Sequence, residues 1–210
     1  MTLRAGRRST RKLPPDFKVI LVGPAEARTA ADAAARGFQD NEIWIWMLPN
    51  DRTRARVERR QYRSMVKHIF VPRRSAWTTT DGTGSAFWFP PGTTKLTPRE
   101  VLAEALPFLP EGLMRLGKVS RLEGEIKRRW PKEPHWYLAV LSVSPESQGK
   151  GHGSALIRPG LEKADEQGVG AYLETQRESN VGFYERFGFE LVEKIEVEGQ
   201  PLWLMWRPVS

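Results

Sequence analysis

The chain has 210 residues, 40% of them hydrophobic, enough to build a buried core and too apolar for a wholly disordered protein. It carries no Cys, which excludes disulfides and thiolate metal sites. It also lacks both an apolar run of about 18 residues and the apolar core of a secretory signal, so no transmembrane helix is expected and a cytoplasmic protein is. The net charge of +8 invites a nucleic-acid partner, but its distribution argues against one. Arg4, Arg7, Arg8, Arg11 and Lys12 precede the first acid, a second cluster runs from Arg52 to Lys67, and the chain beyond Leu161 is rich in acids.

Residues 1–15 are basic, poor in apolar groups and end in Pro14-Pro15, so a disordered tail is expected, followed by one domain over 16–210. Phe17 to Val22 reads as a strand stopped by Gly23-Pro24. The Ala-rich segment from Ala25 to Gly37 reads as a helix. Asp40, Trp44, Trp46 and Met47 then crowd between helices; they either line a pocket or plug the core. Tyr62, Met65, Val66 and Ile69 recur at helical spacing inside 51–70, with arginines on the other face.

Strands are expected over 75–80 and 86–89, joined at Asp81-Gly-Thr-Gly84. Thr97-Pro-Arg-Glu100 has the form of a capping box, opening helices over 98–106 and 111–128. His135 to Val143 is apolar on both faces and reads as a central strand. A helix follows from Gly151 to about Gln167, with Pro159 expected to kink it or weaken a turn. Next come a strand over 171–175, a short helix to Phe187 capped by Ser179 or Asn180, and two final strands over 189–197 and 202–206. This order predicts an α/β fold: a mixed central sheet of about seven strands with helices on both faces.

One stretch organises the rest. Val143-Ser-Pro-Glu-Ser-Gln-Gly-Lys-Gly-His-Gly-Ser154 joins a strand to a helix through a glycine-rich turn. Backbone N–H groups exposed in such a turn, with the positive end of a helix behind them, suit a phosphate. The spacing is neither a P-loop nor the dinucleotide fingerprint. A tight turn with no ligand is the competing reading.

Val143-x-Pro-x-x-Gln-Gly-Lys-Gly-x-Gly resembles the acetyl-CoA pyrophosphate motif of the GNAT superfamily of N-acetyltransferases. Asn180-Val-Gly-Phe183-Tyr184-Glu-Arg-Phe-Gly-Phe189 resembles the superfamily's later motif. Within the superfamily, residues 131–208 look most like puromycin N-acetyltransferases, whereas the first 130 residues match that group only loosely. The resemblance implies the GNAT fold and acetyl transfer from acetyl-CoA to an amine, and with three His and no Cys no metal site is expected. It places the pyrophosphate on Gln148, Gly149, Lys150, Gly151, His152, Gly153 and Ser154, with Lys150 and Arg158 adding charge. It places the pantetheine arm along Leu141, Ser142 and Val143, with Asn180 bonding to it and Phe183 beside it. Tyr184 matches the superfamily's general acid, and a phenol near pKa 10 can protonate a departing thiolate.

Superfamily enzymes often carry their base on the strand before the turn, facing the substrate. Two-residue alternation puts His135, Tyr137, Ala139 and Leu141 on that face, and no carboxylate among them. His135, Glu174 on the neighbouring strand, and a water chain are the three candidates. Asp40, Trp44 and Trp46 are the candidate acceptor site, an aromatic wall with an anionic partner for a cationic amine. A small-molecule amine is the expected acceptor, an antibiotic-like aminonucleoside its specific form, and antibiotic resistance the corresponding role. A protein lysine or N-terminus is the alternative, and a non-catalytic acyl-CoA sensor or nucleic-acid-binding module a second. His68 is read as structural. A monomer or homodimer is expected, with Trp203 and Trp206 at an interface or in the core.

Overall fold

The computed structural model describes residues 17–109 and 116–209. The basic tail and the beginning of the helix expected over 111–128 lie outside the described residues. Seven strands among the described residues form one mixed sheet in the order β1-β2-β3-β4-β5-β7-β6. They are β1 Val19–Leu21, β2 Ala76–Thr79, β3 Gly84–Phe89, β4 His135–Val143, β5 Gly170–Thr175, β6 Glu190–Val197 and β7 Gln200–Arg207. Only the β4–β5 pair is parallel. The helical crossover of His152–Glu166 between those two strands makes that geometry possible.

The helices are α1 Ala27–Gly37, α2 Glu42–Met47, α3 Asp51–Met65, α4 Val71–Arg73, α5 Pro98–Ala105, α6 Leu116–Arg128, α7 His152–Glu166 and α8 Val181–Glu185. The helix expected over 51–70 holds as α3 to Met65 and then widens into a π turn over Val66–Phe70. Pro72 explains the widening: it has no N–H for the next α-helical bond, and a wider turn absorbs the mismatch. The capping box forms as read, with Thr97 Oγ1 accepting from Glu100 N and Glu100 Oε2 accepting from Thr97 N. The β6–β7 hairpin turns through Glu198 and Gly199, both at positive φ.

Two cores flank the sheet. On one face, Ala30, Ala31 and Ala34 of α1 and Val57 and Tyr62 of α3 pack on Ala76, Phe87, Phe89 and Val140. On the other, Leu156, Ile157 and Leu161 of α7 pack on Trp88, Trp136, Leu138 and Leu173. Pro159 sits inside α7. Beside it Gly160 meets the Trp88 ring so closely that an added Cβ would lie 2.2 Å from it.

The fork in the sheet and the elements around it

β4 does not alternate evenly from end to end. Its register with β3 runs Trp88↔Leu138 and then Phe87↔Val140, so Ala139 is an extra residue, a β-bulge. The bulge reverses the facing of everything beyond it. Tyr137 and Ala139 pack toward α1 and α3, while Leu141 and Val143 pack toward α7. The expectation that His135, Tyr137, Ala139 and Leu141 share one face is therefore corrected: Leu141 lies on the opposite face. The side chain of Ser142 turns into the core, where Oγ donates to Ala34 O at 3.0 Å, leaving only its backbone toward the cleft.

The bulge also opens the sheet. β4 and β5 pair from His135↔Gly170 to Leu138↔Leu173, and no pairing continues beyond. From Ala139 to Val143 the β5-facing edge of β4 has no strand partner, while β3 still pairs on the other side. Such an edge presents N–H and C=O groups to an extended amide-bearing ligand. Gly149 and Gly151 hold φ of +72° and +96°, conformations that suit glycine and turn the backbone between them toward the start of α7. Gln148, Gly149 and Lys150 are exposed. An added Cβ on Gly153 would lie 3.4 Å from Phe183 and 3.8 Å from Val143. The two motifs, 30 residues apart in sequence, thus meet at the open end of the fork.

Asn180 does not cap the short helix with its side chain, contrary to expectation. Its Nδ2 instead donates to Thr175 Oγ1 at 3.0 Å, tying α8 to the end of β5. Tyr184 is buried among Leu138, Leu173 and Phe189, and burial raises its pKa, so the phenol stays protonated. Arg158 lies over the Phe187 ring at 5.7 Å.

Glu174 is the first β5 residue past the last β4–β5 pair. Trp130 Nε1 donates to its Oε1 at 2.9 Å. Burial raises its pKa; the dipoles of Trp130, Tyr137 and Tyr172 oppose the rise, and the carboxyl settles at about 7. Tyr172 Oη lies near enough to influence Glu174 without bonding geometry, and is buried with no hydrogen-bond partner. His135 is half-buried beside Trp130, Tyr172 and Trp206, and its Nδ1 lies 2.7 Å from Glu133 O. Burial lowers its pKa. It sits four residues before the bulge, about 13 Å along the strand from the opening.

The acceptor candidates separate. Trp44 is a core residue: its ring stacks on Phe108 and its Nε1 donates to Tyr62 Oη at 3.2 Å. Asp40 is exposed, and its charge is felt by Glu58 on α3. Trp46, half-buried, packs with Ile43 against the group that holds Tyr137, Tyr172 and Trp130. The helix carrying it is latched to the end of β5: Arg177 pairs with Glu42 at 2.9 Å and bonds to Asp40 O, and Asn41 Nδ2 donates to Gln176 Oε1. Only Trp46 of the three therefore packs beside the Glu174 cluster. Trp203 is buried under Lys194, and Trp206 packs between His135 and Gly170, so both belong to the chain's own core.

Residues that the sequence reading passed over complete the site. Asp81, read as a hairpin signal, faces His152. Phe17 stacks on the same imidazole at 3.9 Å. Trp130, two residues past the end of α6, is the donor to Glu174. Nothing local in the sequence signals these contacts, which join residues distant along the chain. Among the described residues, no group of three or more His, Cys, Asp or Glu could hold a metal ion. No helix among them is long and apolar enough to cross a membrane.

Comparison with known proteins agrees with this geometry. Residues 121–189 match the sequence profile of the Acetyltransferase (GNAT) family. An uncharacterized N-acetyltransferase of Schizosaccharomyces pombe is 29% identical over 193 residues, 80% of this chain and 72% of its own. The structure of histone acetyltransferase HPA2 and related acetyltransferase from Corynebacterium glutamicum superposes with a TM-score of 0.68 at 22% identity, over 92% of this chain and 97% of its own. The polyamine N-acetyltransferase of Drosophila melanogaster gives a TM-score of 0.63 at 12% identity, over 92% and 100%. Identities this low carry the fold and leave the substrate open.

Proposed function

We propose that this chain, an N-acetyltransferase of the GNAT fold, moves the acetyl group of acetyl-CoA to a primary amine of a small molecule. The observation that carries this reading is the fork: the sheet opens after Leu138↔Leu173, with Glu174 on one face and Tyr184 packed against the same pair on the other. Acetyl transfer needs an acid on the donor side and a base on the acceptor side, and the fork has one of each.

The residues fit the donor. Backbone N–H groups of Gln148 to Ser154 and the start of α7 would hold the pyrophosphate. The unpaired edge of Leu141 to Val143 would take the pantetheine amides, and a backbone N–H there would polarise the thioester carbonyl. Phe183 would flank the arm. Asn180, already bonded to Thr175, would reach the arm with its remaining amide groups. Lys150 is exposed at the turn and would meet phosphate charge.

At the acceptor face, Glu174 is the base this reading favours over His135. Its carboxyl titrates at about 7, near the optimum for accepting a proton at neutral pH, and it stands at the opening. The amine attacks the thioester carbonyl as its proton passes toward Glu174, directly or through one water. The tetrahedral oxyanion collapses, the C–S bond breaks, and Tyr184 Oη–H protonates the sulfur. Trp46 beside the Tyr137–Tyr172 group offers an aromatic wall to an amine with a flat or apolar body. An aminonucleoside, the acceptor suggested by the likeness of residues 131–208 to puromycin N-acetyltransferases, is the first compound to test.

The test is CoA release measured over a library of aminonucleosides, polyamines, arylalkylamines and lysine peptides. Turnover of at least one small amine, with peptides inert, supports the proposal. Turnover of peptides alone would reassign the acceptor to protein. Acetyl-CoA binding without turnover of any amine would make the chain a sensor.

A further inference from the structure

Away from the fork, a cleft of about 290 Å³ lies between α1 and α3. Four guanidinium groups line it, from Arg28, Arg36, Arg59 and Arg63. Against them stand Asp32 and Glu58. Asp32 is committed: Arg63 clamps it through two hydrogen bonds of 2.8 and 2.9 Å, and Arg28 leans on it at 3.9 Å. Arg36 bonds to Gly82 O and has donors to spare. Arg59 is exposed and makes no hydrogen bond or ion pair among the described residues.

Glu58 is the anomaly. It contributes to the cleft wall, is 0% exposed, and neither carboxyl oxygen has a hydrogen-bond partner. Buried polar groups are rarely left in that state, because each costs about 1–3 kcal/mol. Burial, opposed by Arg54 and reinforced by Asp40, pushes its pKa up to about 8. Near neutral pH it is mainly a carboxylic acid, a donor without an acceptor. The cleft thus combines surplus positive charge with unused donors, and its complement is an oxyanion. None of these groups has a part in acetyl transfer.

We infer that the α1–α3 cleft is a binding site for a small oxyanion, a phosphate or polyphosphate group, held by Arg59 and Arg36 and completed by a hydrogen bond from Glu58. Two sources share that chemistry: a free phosphate compound, or the 3′-phosphate of CoA reaching across Arg36 from the glycine-rich turn.

The test is calorimetric titration of the full chain with inorganic pyrophosphate in the presence of saturating dephospho-CoA, which would occupy the glycine-rich turn and leave the cleft free. Arg59→Ala and Glu58→Met should each weaken binding at least tenfold, whereas Glu58→Gln, which keeps a donor, should bind like the wild type. Wild-type affinity in both Arg59→Ala and Glu58→Met would overturn the site. Arg59 is exposed, so its variant tests the proposal even if Glu58→Met fails to fold. A second titration compares CoA with dephospho-CoA. A tenfold loss in Arg59→Ala confined to CoA identifies the 3′-phosphate as the occupant; unchanged affinity for both identifies a free anion.

Discussion

His152 Nε2 lies 3.1 Å from Asp81 Oδ2, joining the first residue of α7 to the turn between β2 and β3. The imidazole is 4% exposed and stacks on Phe17. Burial works against the Asp81 charge, but hydrogen bonds from Thr79, Thr83 and His152 hold its pKa down to about 2. A fixed anion therefore orients the ring, and the ring fixes the turn whose N–H groups would meet the pyrophosphate.

Removing either partner should loosen the turn without touching the chemistry. Asp81→Ala or His152→Ala is expected to raise the KM for acetyl-CoA about tenfold, equivalent to about 1.4 kcal/mol, with kcat within about twofold of the wild type. Steady-state kinetics at saturating amine measures both. An unchanged KM would mean that the backbone of the turn holds itself.

Tyr184→Phe keeps the ring that packs on Leu138 and Phe189 and deletes only the hydroxyl. Turnover should fall at least tenfold while the acetyl-CoA Kd stays near the wild-type value. Wild-type turnover in this variant would leave protonation of the sulfur to water.

Glu174 must lose its proton to act as a base, so kcat should rise with pH through about 7 and then level off. Glu174→Gln should abolish that limb and lower kcat by about 100-fold, whereas His135→Ala should keep it. A limb that disappears in His135→Ala and survives in Glu174→Gln would exchange the two roles.

The same raised pKa fixes the sign of a stability effect. Between the unfolded value near 4.5 and the folded value of about 7, the folded chain binds more protons than the unfolded one. Stability from this group is full below pH 4.5, declines as pH rises to 7, and is flat above. Glu58 has the same sign over a window that extends to about 8. Denaturant midpoints at pH 5 and pH 8 should therefore converge in the double variant Glu58→Gln, Glu174→Gln relative to wild type.

Two glycines separate crowding from backbone strain. Gly160→Ala drives a methyl into Trp88 and should cost about 1–3 kcal/mol or more. Gly149→Ala meets no atom within 4 Å and pays only for φ of +72°, about 1–2 kcal/mol. Thermal denaturation should rank Gly160→Ala as the less stable, and a reversed order would show that the ring of Trp88 moves aside.

Much of the fold was legible along the chain because local rules governed it. Thr97 and Glu100 cap a helix through bonds three residues apart, and Glu198-Gly199 closes a hairpin inside its own turn. The glycine-rich turn was readable for the same reason, and the segment from Asn180 to Phe189 through its resemblance to the GNAT superfamily's later motif. The bulge at Ala139 left no local trace, since His135 to Val143 contains neither Gly nor Pro and alternation could only be extrapolated. Trp44 and Trp46 looked equivalent, yet two residues along α2 point one into the α3 core and the other toward Tyr137.

The order of helical and strand patterns decided the fold class, and glycine spacing decided the turn suited to a phosphate, because each depends on neighbours close in sequence. Tertiary structure decided the rest. The sheet opens at Ala139 because β4 bulges there and stays paired with β3, while its pairing with β5 ends at Leu138↔Leu173. Glu174 becomes a carboxyl that titrates at about 7 because burial in the folded chain raises its pKa further than Trp130, Tyr137 and Tyr172 lower it. Those effects come from desolvation and strand register, which are properties of contacts between distant segments.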